Sequence, residues 1–400
     1  MTSSFAELRT RLVVACRIAF LLAIISSAIV ADEKYASPTA SATEPLWTIQ
    51  LAGEEAATPV VGRIYVEAQD GGLVVEERNG RLTQLKPEQI QSRVQSDTTY
   101  SRMNADELAQ DLLQQAPPGF EIHQTEHYVL CTNSAEEYAV FCGKLLEKVH
   151  QAYFEFMTEH EIAVTLPTTP LPVIVFHTVE EFQAFAIAQH PETTFTDTPG
   201  YYSIRDNQTL LLDLTRDRSL RSSSSIRKRL AEQPLQVATI VHEAVHQLAF
   251  NSGLQVRLAD NPLWLTEGLA MYFEQTTPRA TLLWTKPGQV NARHQPAFVQ
   301  LVADDMLDVS LSQLVNSDAA YLNSDTVAAA YAEGWALTAF AFKGQPTGLR
   351  SYFATLSQRK PLQPVTESER LEEFRTAFGK SPDELQTDLI SFVRRLRVPK

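Results

Sequence analysis

The feature that most constrains this chain is an apolar stretch, residues 234–250, that contains the sequence HEAVH. A proline at its start and Asn251-Ser252-Gly253 after its end predict one helix over this stretch. His242 and His246 are four residues apart, so both imidazoles project from the same face of that helix. A solvated pair of histidines fits the apolar flanks poorly, and a buried pair needs a partner.

The spacing of these residues is typical of a metal site. Two imidazole nitrogens one helical turn apart can reach one ion, and Glu243, about 100° further round the helix, can reach a bound water without ligating the metal. A third ligand is expected on the next predicted helix, 261–276, where Glu267 is the one acid among apolar neighbours in the first two turns. A glutamate there is unfavourable to bury unless it is paired or metal-bound. Gly268 beside it allows a neighbouring backbone to approach closely.

Glu274 lies seven residues after Glu267 on the same stripe of the second helix. It is a candidate for orienting a ligand histidine through a hydrogen bond. The alternative is a solvated acid at the end of the helix, and the sequence does not separate the two.

A family resemblance follows from these motifs. HEAVH, then twenty residues, then Glu267 within WLTEGLAMYF resembles the gluzincin metallopeptidases, in particular the aminopeptidase N and thermolysin-like group. Residues 120–345 resemble the uncharacterised peptidase-MA-like domains of that clan. The resemblance implies a zincin-like α+β catalytic domain that holds Zn2+ through His242, His246 and Glu267, with Glu243 as the catalytic base.

The resemblance also implies a downstream tyrosine that stabilises an oxyanion. Tyr331 lies sixty-four residues after Glu267, a separation similar to that in the aminopeptidase branch. The alternative for Tyr331 is an aromatic residue at a helix start that packs on the core. Glu333 and Trp335 beside it are either structural or substrate-facing.

One motif of the aminopeptidases is missing. Their Gly-x-Met-Glu-Asn segment, which binds the free amine of the substrate, has no counterpart upstream of HEAVH. The corresponding region would be Gly200 to Ser203, followed by an edge strand over Leu210 to Leu214. Such an edge strand beside the zinc would pair with an extended peptide.

The sequence divides the chain into five regions, on the basis of composition and periodicity. We expect a signal peptide or anchor, a polar linker, a small β module of three or four strands, a zincin-like α+β catalytic domain and a helical C-terminal region. In that order, these cover residues 1–31, 32–44, 45–95, 120–300 and 301–400.

The N-terminus has the form of a secretory signal. Three arginines precede an apolar run, Ile18 to Val30, which ends in small residues at Ala31. That run is short for a membrane span of about 20 residues, so we expect export to the periplasm or the exterior. The alternative is an uncleaved membrane anchor over residues 12–30.

Cys131 and Cys142 could form one disulfide or remain as two free thiols.

Composition excludes one class of function. The formal net charge is -14, and no basic stripe is present to neutralise phosphates, so no nucleic acid partner is expected. The basic cluster Arg221 to Leu230 is short and serine-rich, and its pattern predicts a solvated loop.

The function expected is an exported zinc metallopeptidase that hydrolyses a peptide or protein with zinc-activated water and Glu243 as base. The alternatives are a catalytically idle zinc-binding interaction protein and a zinc hydrolase of a non-peptide amide or ester.

Overall fold

The computed structural model describes residues 44–53, 58–189, 198–305, 307 and 310–398. Over these residues the protein is a mixed α+β structure with an N-terminal β region and a helical C-terminal region. The expected signal peptide or anchor, residues 1–31, lies outside the described residues. Within the described ranges, no helix is long and apolar enough to cross a membrane.

The N-terminal β region is one antiparallel sheet with the strand order β4-β3-β2-β1-β5. Its strands are β1 Pro45–Leu51, β2 Val60–Glu67, β3 Leu73–Glu77, β4 Leu82–Leu85 and β5 Ile90–Thr99. The expected count of three or four strands was therefore too low. The reason is β5, an edge strand of mostly exposed polar residues that lacks the apolar alternation by which strands are recognised in a sequence.

The turn signals in this region are confirmed. Asp70-Gly71-Gly72 connects β2 to β3, and Asn79-Gly80 lies in the connection from β3 to β4. Gly71 and Gly80 have φ values of 90° and 89°, a backbone conformation that residues with a Cβ rarely adopt. The glycines therefore determine where the chain reverses.

A second sheet follows, with the strand order β6-β7-β8-β10-β9. Its strands are β6 Glu121–Gln124, β7 Tyr128–Thr132, β8 Leu171–Phe176, β9 Gly200–Ser203 and β10 Gln208–Leu212. The central strands β7, β8 and β10 are parallel, and both edge strands are antiparallel to their neighbours. The expected edge strand at Leu210 to Leu214 is wrong, because β10 pairs with β8 on one side and with β9 on the other. The edge is β9.

Helices form most of the remaining described chain. They are α1 Ala105–Gln115, α2 Glu136–Glu159, α3 Val179–Gln189, α4 Ser223–Ala231, α5 Pro234–Asn251, α6 Leu263–Phe273, α7 His294–Ala303, α8 Leu311–Asn316, α9 Ala319–Leu322, α10 Val327–Gly344, α11 Pro346–Leu356, α12 Glu367–Phe378 and α13 Pro382–Arg395. The predicted helices over 234–250 and 261–276 correspond to α5 and to a shorter α6.

The solvated loop expected at Arg221 to Leu230 is wrong. The hydroxyl of Ser222 accepts the backbone N–H of Ser225 and caps α4, and Ile226 and Leu230 are fully buried on one side of the helix. The serine run dominated the composition, but two apolar residues one turn apart are enough to fix a short helix against the core.

The second sheet is covered on both faces. Helices α1 and α3 pack on one face, and α2 and α5 pack on the other, where they join α4 and the helical C-terminal region in a single apolar core. Side chains alternate along a strand, so Cys131 on β7 points toward α1 while Cys142 lies on α2 across the sheet. Both cysteines are buried free thiols.

Candidate metal centre

Helices α5 and α6 bring the three predicted ligands together. One ligand atom each from His242, His246 and Glu267 lies within 4.8 Å of the other two. His242 Nε2 is 3.3 Å from Glu267 Oε2, and His246 Nε2 is 3.6 Å from Glu267 Oε1. Bonds of about 2.0–2.1 Å at tetrahedral angles place ligand atoms roughly 3.3–3.5 Å apart, so this spacing fits three ligands of one ion.

The protonation state of His246 favours a bound metal ion, rather than an ion pair with Glu267, as the partner of this ring. Burial lowers the pKa of His246 to about 4, although the Glu267 carboxylate opposes that shift. The ring is therefore neutral at pH 7. Its Nε2 is buried and has no hydrogen-bond partner among the described residues. Such an atom costs about 1–3 kcal/mol when left unsatisfied, and a metal ion would satisfy it.

Glu274 fixes the orientation of the first histidine. Its Oε2 is 2.7 Å from His242 Nδ1, its Oε1 accepts a hydrogen bond of 2.9 Å from Asn291 Nδ2, and His294 Nε2 lies 3.5 Å away. Burial opposes ionisation of Glu274, but the hydrogen bonds from His242 and His294 outweigh it and hold the pKa of the carboxyl well below its usual range. With Nδ1 of His242 bound to Glu274, Nε2 is left to face Glu267.

Glu243 lies on the sheet side of the site. Its Oε2 accepts the backbone N–H of Tyr202 at 2.9 Å, so the outer edge of β9 faces this carboxylate. Burial, and secondarily the charge of Glu267, raises the pKa of Glu243 to about 8, while His242 and the Tyr202 amide oppose the shift. A nearby cation would lower that pKa again, because it favours the ionised form.

Helix α6 is held in place by its contact with α10. A Cβ atom on Gly268 would lie 2.8 Å from the carbonyl oxygen of Gly334 and 3.0 Å from Thr338 Cβ. The close backbone approach expected at Gly268 is therefore confirmed. Glu267 precedes Gly268 on α6, a helix that is buried along its whole length.

Tyr331 lies near the start of α10, one turn before Gly334. Its half-buried ring packs edge-on against Tyr321, with the ring centroids 5.2 Å apart. The structure thus shows the core-packing contact and places Tyr331 on the helix that packs against α6. Glu333 is buried, and Trp335 is fully buried in the core.

Three groups in the site were not predicted from the sequence. Asn291 lies just before α7, and His294 is the first residue of that helix. They follow the end of α6 by 18 and 21 residues, and no spacing links them to HEAVH. The backbone amide of Tyr202 carries no side-chain signal at all.

Comparison with known proteins adds one similarity. Residues 236–363 match the model of a family described as "Protein of unknown function (DUF1570)". The matched segment contains the HEAVH sequence, Glu267, Glu274 and Tyr331, and it excludes the N-terminal sheet. A search of curated proteins finds no match to the chain.

Proposed function

We propose that this protein is an exported zinc metallopeptidase with a zincin-like catalytic domain, in which His242, His246 and Glu267 hold Zn2+. The observation that carries the proposal is the short separation of three ligand atoms, one of which is the buried Nε2 of the neutral His246 ring. Zinc is the ion we favour because a His2Glu set with room for water is typical of catalytic zinc.

Glu243 is the group that moves protons in the proposed reaction. When bound, zinc lowers the pKa of a water molecule to about 7 and polarises the scissile carbonyl. Glu243 accepts the proton of the attacking water at its carboxylate and returns it to the leaving nitrogen. The Tyr202 amide holds Oε2 of Glu243, which leaves the other carboxylate oxygen to face the reacting water.

The substrate proposed is a peptide or protein chain. β9 is the edge of the second sheet, and its outer side passes Glu243. The four residues of β9 are buried and the outward N–H of Tyr202 is bound to Glu243, so the proposal of a peptide substrate rests on the ligand set and not on a free strand edge. We assign to Tyr331 the role of stabilising the developing oxyanion with its hydroxyl.

The test combines metal analysis with cleavage of a broad peptide library by the full-length protein. We expect the wild-type protein to bind one zinc at this site and to cleave library members. Glu243→Gln keeps the size of the side chain but removes the base, so it should retain zinc and lose turnover by a factor of at least about 100. Tyr331→Phe should lower kcat about 10- to 1000-fold and leave zinc affinity unchanged.

Three outcomes would contradict the proposal in whole or in part. Zinc binding without cleavage of any peptide in the library would favour the idle interaction protein. Cleavage of amide or ester probes but not of peptides would favour the non-peptide hydrolase. Equal turnover in Glu243→Gln and wild-type protein would remove Glu243 from the mechanism.

A further inference from the structure

A second cluster of ligand-type side chains lies away from helices α5 and α6. His127 precedes β7, and Glu147 and His150 lie on α2. One ligand atom from each of the three is within 4.8 Å of the other two. Glu147 and His150 are three residues apart, a Glu-x-x-His spacing that directs both side chains to the same side of a helix.

The carboxylate of this cluster is held rigidly. Oε1 of Glu147 accepts hydrogen bonds of 2.6 Å from Thr125 Oγ1 and 2.7 Å from the backbone N–H of His127. Oε2 lies 2.7 Å from His127 Nδ1. Three atoms of one segment, residues 125–127, thus fix where Glu147 points before any ligand arrives.

The charge of Glu147 has no strong counterion. Among the described residues, its ionic partner is His127, and neither a lysine nor an arginine forms an ion pair with it. The next residue on the helix, Lys148, donates instead to the carbonyl oxygen of Trp284 at 2.9 Å. A partly exposed carboxylate that faces two imidazoles and no Lys or Arg is a setting in which a divalent cation supplies the missing charge.

The two imidazoles are positioned by stacking. The rings of His127 and His150 have centroids 3.8 Å apart and are nearly parallel, and Phe154 packs on His150 with centroids 4.7 Å apart. His150 is buried, whereas the side chain of His127 is 34% exposed. Two stacked rings direct their in-plane nitrogens side by side, so binding of one ion requires the partly exposed His127 ring to tilt and to exchange its contact with Glu147 for a contact with the ion.

We propose that His127, Glu147 and His150 form a second divalent metal site, independent of the HEAVH centre. Two imidazoles and one carboxylate suit Zn2+, Co2+, Ni2+ or Cu2+ rather than Ca2+ or Mg2+, which prefer oxygen ligands. Solvent at the exposed side of His127 completes the coordination. The site links the start of β7 to the middle of α2, so a bound ion braces the second sheet against its longest helix.

The test is a Co2+ titration of the full-length protein after removal of metals by a chelator, followed by calorimetry and visible absorption. We expect two equivalents in the wild-type protein. His150→Phe keeps an aromatic ring against Phe154, removes the nitrogen and should bind one equivalent, as should Glu147→Gln. The matched control is His160→Phe, the same substitution at the C-terminal end of the same helix, which should still bind two.

The double variant His242→Ala/His246→Ala separates this proposal from the proposed function. It should keep the one equivalent at His127, Glu147 and His150. A wild-type protein that binds one equivalent, lost in the double variant and kept in His150→Phe, overturns the second site but not the first. One equivalent lost in His150→Phe and kept in the double variant supports the second site and overturns the HEAVH centre. Far-UV circular dichroism of each variant checks that lost binding is not lost folding.

Discussion

Outside the proposed ligand set, Glu274 is the residue that holds a candidate ligand histidine in place. It binds His242 Nδ1 at 2.7 Å and is itself held by Asn291. Hydrogen bonds of this kind fix the tautomer and the angle of a ligand imidazole. We therefore expect Glu274→Gln to lower zinc affinity about 10- to 100-fold, measured by competition with a chromogenic chelator.

The control for this prediction is Glu232→Gln, the same substitution at a solvent-exposed glutamate at the end of α4. It should leave zinc affinity unchanged. Equal affinities in Glu274→Gln and wild-type protein would mean that His242 is positioned by its packing and not by the carboxylate.

The sequence identified this site because of the chemistry of its side chains. A His-Glu-x-x-His spacing on an apolar helix and a lone glutamate on the next one can be recognised in a sequence. The Tyr202 amide could not be predicted, because any residue on β9 would supply the same N–H. Asn291 and His294 could not be predicted either, because their contact with Glu274 depends on the fold that brings the start of α7 beside the end of α6.

At the scale of elements, the contact between α6 and α10 determines where Glu267 lies. We expect Gly268→Ala to destabilise the protein by about 1–3 kcal/mol, because the added Cβ meets the Gly334 carbonyl and Thr338, which cannot move without shifting a helix. Because Glu267 is the adjacent residue, zinc affinity should fall as well. Denaturant unfolding and the chelator competition measure the two effects.

Gly143→Ala on the buried face of α2 is the matched control. There, the added Cβ meets no backbone atom, only Thr125 Cγ2 at 2.9 Å and the His123 ring at 3.2 Å, so a small shift of these side chains relieves the contact and keeps the Thr125 hydroxyl on Glu147. Alanine also favours a helix over glycine by up to about 1 kcal/mol, so this variant should be less destabilised than Gly268→Ala and should keep its zinc affinity. Similar losses of stability and of zinc affinity in the two variants would show that the close approach of α6 to α10 does not determine either quantity.

The elements themselves were predictable to different degrees. Long helices with regular apolar spacing, such as α2 and α10, follow from periodicity. The order of strands does not, since β9 is the edge only because it pairs on the outer side of β10. The short helix α4 was missed because its serines dominate the local composition. Its two buried residues, Ile226 and Leu230, can be recognised as a helix face only when the core that covers them is known.

At the scale of the whole molecule, a buried charge cluster connects the N-terminal sheet to the candidate metal centre. Glu76 on β3 binds Arg63 on β2, Arg102 before α1 and Arg257 after α5. Arg257 also donates to the carbonyl oxygen of Ile204 at 2.6 Å, in the turn between β9 and β10. The N-terminal sheet thereby contacts the turn that follows the strand whose amide holds Glu243.

This cluster gives the protein a defined sensitivity to acid. Burial opposes ionisation of Glu76, but Arg102, Arg63 and Arg257 outweigh it and lower the pKa of Glu76 to about 2, from an ordinary value of 4.5. A depressed pKa stabilises the folded state fully above about pH 4.5, and that contribution is lost as the pH falls through about 2. The pKa difference corresponds to on the order of 3 kcal/mol in the free energy of unfolding of the metal-free protein. Glu76→Gln should remove this part of the pH dependence and cost about 3–5 kcal/mol at pH 7, because the buried Arg257 and the half-buried Arg102 lose their carboxylate partner and the buried Arg63 keeps only Glu44. Glu67→Gln breaks only the exposed pair with Arg93 in the same sheet and should cost less than about 1 kcal/mol with the slope unchanged. Urea unfolding between pH 2 and pH 7 measures all three proteins, and an identical slope in wild-type and Glu76→Gln protein would mean that the acid sensitivity originates elsewhere.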